Sequence, residues 1–228
     1  MKRALLVFLL LVVALAVVAD RAVEQVAEGV VARQLEAEIG TQPSVEVGGF
    51  PFLTQALRGR YEQITVDAPS LRSGEVTVQD FQATLTGTQV PLSEVLNGSL
   101  SEVPVERLRG SGLVPWSTLE DASDGRLSLE PAGDQVRVSG SVSALGQSVE
   151  GSALATASVD GSDVRLQAGD VTVDGAPVPG PVAQALSAAL SLTYQVPPLP
   201  YDLRLREVDV TEEGVVVTGA AEDVLLRR

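Results

Sequence analysis

Much of this chain alternates apolar and polar residues with a period of two, and this pattern constrains the fold more than any other feature. Successive side chains of a β-strand point to opposite faces of a sheet, so the alternation predicts half-buried strands. The pairs that carry it are Ile64 and Val66, Val76 and Val78, Phe81 and Ala83, Leu127 and Leu129, Val136 and Val138, Val164 and Leu166, Val171 and Val173, Leu203 and Leu205, Val208 and Val210, and Val215 and Val217. The phase changes between Val78 and Phe81, which predicts a β-bulge there.

Short glycine-containing turns separate many of these strands and predict hairpins. They are Arg72-Ser73-Gly74, Ala132-Gly133-Asp134, Asp160-Gly161-Ser162 and Glu212-Glu213-Gly214. No helix of crossover length alternates with the strands, so the pattern favours antiparallel pairing and an α+β class.

Two longer stretches have the spacing of helices. Apolar residues step by three or four from Val23 to Ile39, with Asp20 as a candidate cap at the start and Gly40 as the stop. An Ala-rich stretch repeats the spacing from Pro181, and a single helical turn is expected near 91–96. We therefore predict a long N-terminal amphipathic helix together with a mostly antiparallel sheet, and a second, shorter helix near 181–192. Residues 20–228 are expected to form one domain.

The composition excludes several classes of function. The chain has no His and no Cys, so Ser-His-Asp or Cys-His catalysis, a zinc site of Cys and His ligands and a disulfide framework are ruled out. No cofactor and no metal site are expected. The net charge of −14 repels phosphate backbones, so nucleic acid is not expected as a partner.

The N-terminus predicts export. Lys2 and Arg3 precede sixteen apolar residues, Ala4 to Ala19. As a helix this run would span about 24 Å, less than the hydrocarbon core of about 30 Å. Residues 1–19 are thus either a signal peptide cleaved before Asp20 or a short membrane anchor, and the sequence leaves both open. In both cases the positive residues stay in the cytoplasm, which places the rest of the chain in the cell envelope or periplasm, secreted or anchored.

The segment 47–61 is the strongest candidate for a binding site. Gly48 and Gly49 free the backbone before Phe50-Pro51-Phe52-Leu53, and Arg58 and Arg60 follow closely. In one interpretation Phe50, Phe52 and Leu53 project as an apolar wedge, and the two arginines bind lipid phosphate beside it. In the other, both rings pack inward under the first helix.

An enzymatic function has little support in the sequence. Nucleophile-elbow, phosphate-loop and dinucleotide-binding motifs are absent. Carboxylate pairs such as Asp121 with Asp124, or Glu212 with Glu213, could serve glycoside hydrolysis, but they lie in expected turns. We predict no catalytic residue.

Several of these residues together resemble a known family. They are Asp20, Arg21 and Glu24 of the first helix, the run Gly49-Phe50-Pro51-Phe52-Leu53-Thr54-Gln55, Gly59 and Tyr61 before Ile64 and Val66, and Leu199-Pro200 before Leu203 and Leu205. The chain is similar in these positions to the LmeA-like phospholipid-binding proteins of actinobacterial cell envelopes. The resemblance implies an extracytoplasmic protein that binds phospholipid, with phosphatidylinositol-type lipids as the associated class, and a long helix lying in a curved antiparallel sheet.

The expected function follows from these features together. We expect a non-enzymatic protein that holds or carries phospholipid and docks on a membrane surface through Phe50, Pro51, Phe52 and Leu53 with Arg58 and Arg60. Acyl chains are expected in an aliphatic groove lined by Val23, Val26, Val30 and Leu35, although the same residues also suit an ordinary core. The alternatives are a structural or scaffolding envelope module without lipid, and a carboxylate-based envelope glycan enzyme.

Overall fold

A computed structural model of the chain describes residues 2–73, 76–97, 102–121, 123–144, 147–173, 175–178, 180–195 and 203–227. The helices are α1 (Lys2–Ile39), α2 (Phe52–Arg58), α3 (Leu92–Asn97), α4 (Trp116–Asp121) and α5 (Pro181–Leu190). The strands are β1 (Ser44–Gly48), β2 (Arg60–Ser73), β3 (Val76–Gln89), β4 (Glu102–Pro115), β5 (Leu127–Ala132), β6 (Gln135–Ala144), β7 (Gln147–Asp160), β8 (Asp163–Val173), β9 (Ala176–Pro177), β10 (Leu192–Gln195), β11 (Arg204–Val210) and β12 (Gly214–Arg227). The α+β class, the long first helix and the helix after Gly180 are confirmed.

The strands form two sheets where the sequence suggested one. The first has the order β1-β2-β3-β4-β12-β11, and the second has the order β10-β8-β7-β6-β5 with β9 paired to β8. Pairing is antiparallel between β1 and β2, between β11 and β12, and through the second sheet. The hairpin turns at Gly133, Gly161 and Glu212–Gly214 are confirmed. Alternation of apolar and polar residues predicts strands but not which strands pair. The sequence therefore does not show that the strands divide into two sheets.

The chain divides into two compact units. One comprises Met1–Pro69, Gln82–Arg109 and Ala221–Arg228, and the other comprises Ser70–Phe81 and Gly110–Ala220. Strands β2, β3, β4 and β12 supply residues to both units. The single domain expected for residues 20–228 therefore stays a prediction.

The second unit has its core between α5 and its sheet. Leu186 and Leu190 of α5 are buried with Val136 and Val138 of β6 and with the small residues of β7. A Cβ placed on Gly151 would already touch Leu190 and Val171 at 3.6 Å. Small residues on β7 thus allow the helix to approach the sheet closely. At the predicted phase change in β3, Asp80 has a φ of +46° and breaks the alternation.

The first unit is built around the C-terminal half of α1, which contacts β1, α2 and α3. Its buried cluster contains Ala27, Val47, Phe52, Ala56, Tyr61 and Val90. The predicted end of α1 is confirmed, since Gly40 has a φ of +81° and its N–H bonds the Glu36 carbonyl at 2.9 Å. No helix within the described residues has the length and hydropathy needed to cross a membrane. The Leu199-Pro200 step and the Gly74 turn lie outside the described residues.

Candidate functional site

The run Gly49-Phe50-Pro51 forms the turn that leads from β1 into α2, all within the first unit. Gly49 has a φ of +95°, and a Cβ at this position would lie 2.7 Å from Nε2 of Gln55. The backbone conformation therefore favours glycine, and a Cβ here would displace the Gln55 amide. Gly59 closes α2 in the left-handed conformation, with its N–H bonded to the Ala56 carbonyl.

A buried carboxylate from α1 holds the start of α2. The backbone N–H of Phe52 donates to Oδ2 of Asp20 at 2.9 Å, and the N–H of Leu53 donates to Oδ1 at 2.7 Å. Pro51, the residue before α2, provides no side-chain cap. The sequence suggested that Asp20 caps its own helix, and this was wrong: α1 continues through Asp20, whose side chain caps α2 instead.

The buried face of α1 differs from the expected one. Asp20 and Glu24 are only 2% and 4% exposed, and they share a face with Ala27 because residues four and seven apart align on a helix. The stripe of Val23, Val26 and Val30 lies about 100° around the helix from this face. Val23 and Val26 are exposed, and Val30 and Leu35 are half-buried. A groove lined by these four residues stays a prediction.

A third acid on α1 ties the helix to β1. Oε1 of Glu28 accepts the backbone N–H of Val47 at 2.8 Å. Burial raises the pKa of the Glu28 carboxyl; the Val47 N–H opposes this shift, and the neighbouring charges of Glu24 and Glu46 add to it. The charge of Arg21 lowers the pKa.

The side chain of Gln55 stabilises the turn through two hydrogen bonds. Its Nε2 donates to the Gly48 carbonyl at 3.1 Å, and its Oε1 accepts the N–H of Glu62 at 2.8 Å. One side chain of α2 thus satisfies backbone groups of β1 and of β2. The turn is held on three sides, by α1, β1 and β2.

The two phenyl rings of the turn point in opposite directions. Phe50 is 57% exposed, and the Arg21 guanidinium carbon lies 5.5 Å from the centroid of its ring, a cation–π arrangement. Phe52 is 1% exposed and packs on Tyr61, with 6.1 Å between the ring centroids. The expectation that Phe52 projects outward with Phe50 was wrong, because the Asp20 bonds turn Phe52 into the core. Leu53 is half-buried, and Pro51 is exposed.

The two arginines after the turn differ in their partners. Both are exposed, but an Nη of Arg60 donates to Glu106 on β4 in an ion pair at the surface. Within the described part of the chain, Arg58 makes no ion pair. The neighbouring Leu57 is 84% exposed.

Comparison with known proteins identifies the family. The model of the family described as LmeA-like phospholipid-binding matches residues 18–220, which is most of the chain. The chain belongs to this family. No curated protein and no solved structure matches the chain.

Several of the motif residues that suggested the LmeA-like family build the turn. Asp20 holds α2, Arg21 covers Phe50 and bonds Glu24 at 2.5 Å, and Gln55 locks the glycine pair. The bonds of Glu28 and Gln55 were not anticipated. A signal existed for the acids, since Asp20, Glu24 and Glu28 repeat at four-residue steps and must therefore share one side of α1.

The second unit contains an open pocket of about 360 Å³. It is lined by Asp80, Ser111, Gly112, Leu113, Thr211, Glu212, Glu213 and Val216. Asp121 and Asp124, the other acid pair noted in the sequence, lie at the end of α4 and in the turn that follows. No group of three or more acids suited to a metal ion is found among the described side chains. The LmeA-like family is a phospholipid-binding one and is not known for enzymes.

Proposed function

We propose that this protein is a non-enzymatic phospholipid-binding protein of the cell envelope that docks on membranes through the Phe50 turn. The observation that carries the proposal is the exposed Phe50 ring beside Arg21, in a turn built from the motif residues of a phospholipid-binding family. An apolar ring next to a guanidinium suits a bilayer interface, where the ring enters the acyl boundary and the cation meets lipid phosphate.

Leu57 and Arg58 extend the docking surface along α2. Leu57 is exposed, and the adjacent Arg58 makes no ion pair among the described residues. Phe50 likewise adjoins an arginine, Arg21, which is bonded to the buried Glu24. Arg60 contributes less, because Glu106 already neutralises it. The proposed docking surface therefore consists of Phe50, Leu57, Arg21 and Arg58.

Acyl chains are proposed to lie along the stripe of Val23, Val26 and Val30, with Leu35 beyond it. Val23 and Val26 are exposed, and Val30 is half-buried. The stripe from Val23 to Val30 extends about 10 Å along α1 at about 1.5 Å per residue. Each CH₂ group removed from water contributes about 0.8 kcal/mol, so partial coverage of one chain is enough for binding. The aliphatic, acid-free character of the stripe supports this placement.

Export and lipid class complete the proposal. Lys2 and Arg3 before sixteen apolar residues support export across the cytoplasmic membrane. Arg58 and Arg21 support an anionic headgroup, and the family resemblance favours phosphatidylinositol-type lipids. The lifetime of the complex between protein and lipid distinguishes a carrier, which moves lipid between membranes, from a protein that holds lipid at one membrane.

Co-sedimentation with vesicles tests the proposal. The full chain is mixed with vesicles of phosphatidylcholine alone and with vesicles containing phosphatidylinositol. We expect binding to both, stronger to the anionic vesicles and weakened by salt. Equal recovery of the protein in the supernatant with and without vesicles would reject membrane docking.

The pocket of Asp80, Glu212 and Glu213 provides the test of the enzymatic alternative. Hydrolysis of an envelope glycan needs two acids acting on one bond. We expect Glu212→Gln and Glu213→Gln to leave vesicle binding unchanged and to remove no hydrolytic activity toward envelope glycans. Loss of such an activity in either variant would favour the enzyme.

A further inference from the structure

The stretch of α1 that immediately precedes Asp20 is exposed on all sides. Every residue from Val13 to Ala19 is exposed, and all seven are apolar. The next residue, Asp20, is buried. From 13 to 26 the only acids are Asp20 and Glu24, and both are withdrawn into the protein. In a chain with 30 acidic residues, this part of α1 offers solvent only apolar side chains, Arg21 and Gln25.

The buried Asp20 places the Phe50 turn at the point where this exposed stretch ends. Its carboxylate holds the amides of Phe52 and Leu53, and Arg21, the next residue, covers the ring of Phe50. Phe50 therefore lies beside the helical turn that contains residues 20 and 21. Val17 is about four residues, or about 6 Å, further along the helix axis.

We propose that residues 13–19 of α1, Phe50 and Arg21 form one membrane-contact surface, with Asp20 as the positioning residue that joins its two parts. This inference rests on the proposed function and specifies its partner as the interface of a lipid bilayer. Charge favours this occupant along α1, because residues 13–26 expose Arg21 and no acid, and the Glu24 carboxylate that pairs with Arg21 is buried. The exposed acid Glu62 flanks the turn at Gly49. Apolar side chains that enter the acyl boundary beside an arginine at headgroup level give the arrangement expected of an interfacial segment.

The arrangement predicts an order of depths. Of these three residues, Val17 lies deepest in the bilayer, Phe50 lies near the headgroup boundary and Arg21 lies at the phosphates. It also predicts that residues 13–19 remain part of the working protein. Cleavage before Asp20 would remove residues 13–19 from the membrane-contact surface, whereas retention would keep them in it.

Single labelled cysteines can measure these depths, because the natural chain has no Cys. The full chain carries Val17→Cys, Phe50→Cys or, as the control, Leu154→Cys, each labelled with the fluorophore NBD. Leu154 is an exposed apolar residue of the second unit. With vesicles containing phosphatidylinositol, we expect a blue shift at positions 17 and 50 and none at 154. Lipids with a nitroxide deep in the acyl chain should quench position 17 more strongly, and lipids with a shallow nitroxide should quench position 50 more strongly.

Asp20→Asn tests the joining role. Asparagine keeps one acceptor oxygen but loses the charge and the second acceptor. We expect the label at position 50 to lose most of its quenching while the label at position 17 keeps it. If the variant fails to fold, the Val17→Cys and Phe50→Cys depths in the unaltered background still decide the proposal.

Several results would overturn the inference. Quenching at position 50 without quenching at position 17 would limit docking to the turn and leave the proposed function intact. A blue shift that appears without vesicles and grows with protein concentration would mean that a second copy covers the surface. An intact mass showing that protein taken from cells begins at Asp20 would also overturn it. If no label shows a blue shift with vesicles and the protein binds no phospholipid, the proposed function itself fails.

Discussion

Asp20 accepts the backbone N–H of Leu53 at 2.7 Å, and it does so from the middle of a helix 33 residues earlier in the chain. The same carboxylate accepts the N–H of Phe52. A cap of this kind is usually provided by the residue just before a helix, but here that residue is Pro51. The family motif at Asp20 and the motif at Gly49–Gln55 are therefore parts of one structure.

Removal of this carboxylate should destabilise the first unit. Asp20→Ala leaves two amides of α2 without a partner, and each lost bond costs about 1–2 kcal/mol. We expect a lower midpoint of thermal unfolding, measured by circular dichroism. Glu36→Gln is the matched control, because Glu36 is an exposed acid of the same helix. Equal midpoints for the two variants would contradict the capping role.

The two phenyl rings should separate folding from docking. Phe52→Ala removes a fully buried ring, and changes of this type cost about 3–5 kcal/mol. Phe50→Ser removes an exposed ring, so we expect a stability close to that of the unaltered protein and reduced co-sedimentation with vesicles. Leu154→Ser controls for the loss of any exposed apolar residue. Undiminished vesicle binding by Phe50→Ser would remove Phe50 from the docking surface.

Arg58 and Arg60 should contribute unequally to binding of anionic lipid. A basic side chain near an anionic surface contributes about 1 kcal/mol, so Arg58→Gln should weaken binding to phosphatidylinositol vesicles about fivefold. Arg60→Gln should weaken it less, because Glu106 already pairs with Arg60. Neither change should alter binding to phosphatidylcholine vesicles. The opposite order of the two arginines would show that the ion pair opens on the membrane.

Gly49 should tolerate no side chain. Gly49→Ala combines a φ of +95° with a Cβ only 2.7 Å from Gln55, so we expect a destabilisation above the roughly 1–2 kcal/mol of left-handed strain alone. Gly133→Ala is the control, because Gly133 has a φ of +72° in a hairpin with open space around it. Equal losses of stability in urea titrations would mean that contact with Gln55 adds nothing.

Glu28 should make stability fall as the pH rises. Its pKa in the folded protein is raised by burial above the ordinary 4.5, so the folded state binds more protons than the unfolded state just above that value. The free energy of unfolding then decreases as the pH rises through this window. Glu28→Gln keeps an acceptor for the Val47 N–H and should flatten this part of the profile. A steeper profile in Glu28→Gln than in the unaltered protein would contradict the assignment.

The sequence predicts the elements better than their arrangement. Alternation identified most strands, but β7 escaped because its buried positions are Gly151, Ala153 and Ala155, which are too small to produce a clear apolar signal. Those residues are small because α5 packs directly against them. The sequence also does not reveal the number of sheets, because the apolar and polar alternation of a strand depends on which residues are buried and not on which strand pairs with it.

The candidate site was only half visible in the sequence. Composition and backbone chemistry identified the Gly49–Leu53 turn and its neighbouring arginines. The outward position of Phe50 and the inward position of Phe52 depend on bonds from Asp20, more than thirty residues away. Similarly, the valines of α1 outnumber its acids, so a count of apolar residues favours the valine stripe as the buried face, whereas Asp20 and Glu24 are buried in the structure. Asp20 and Glu28 face the protein because they accept hydrogen bonds from backbone N–H groups of α2 and β1.

Native mass spectrometry of the full chain, gently extracted from the cells that produce it, tests phospholipid binding most directly. We predict protein carrying one or more phospholipid molecules, released as anionic lipid on activation. A spectrum containing only lipid-free protein, with no lipid in the matching organic extract, would contradict the proposal.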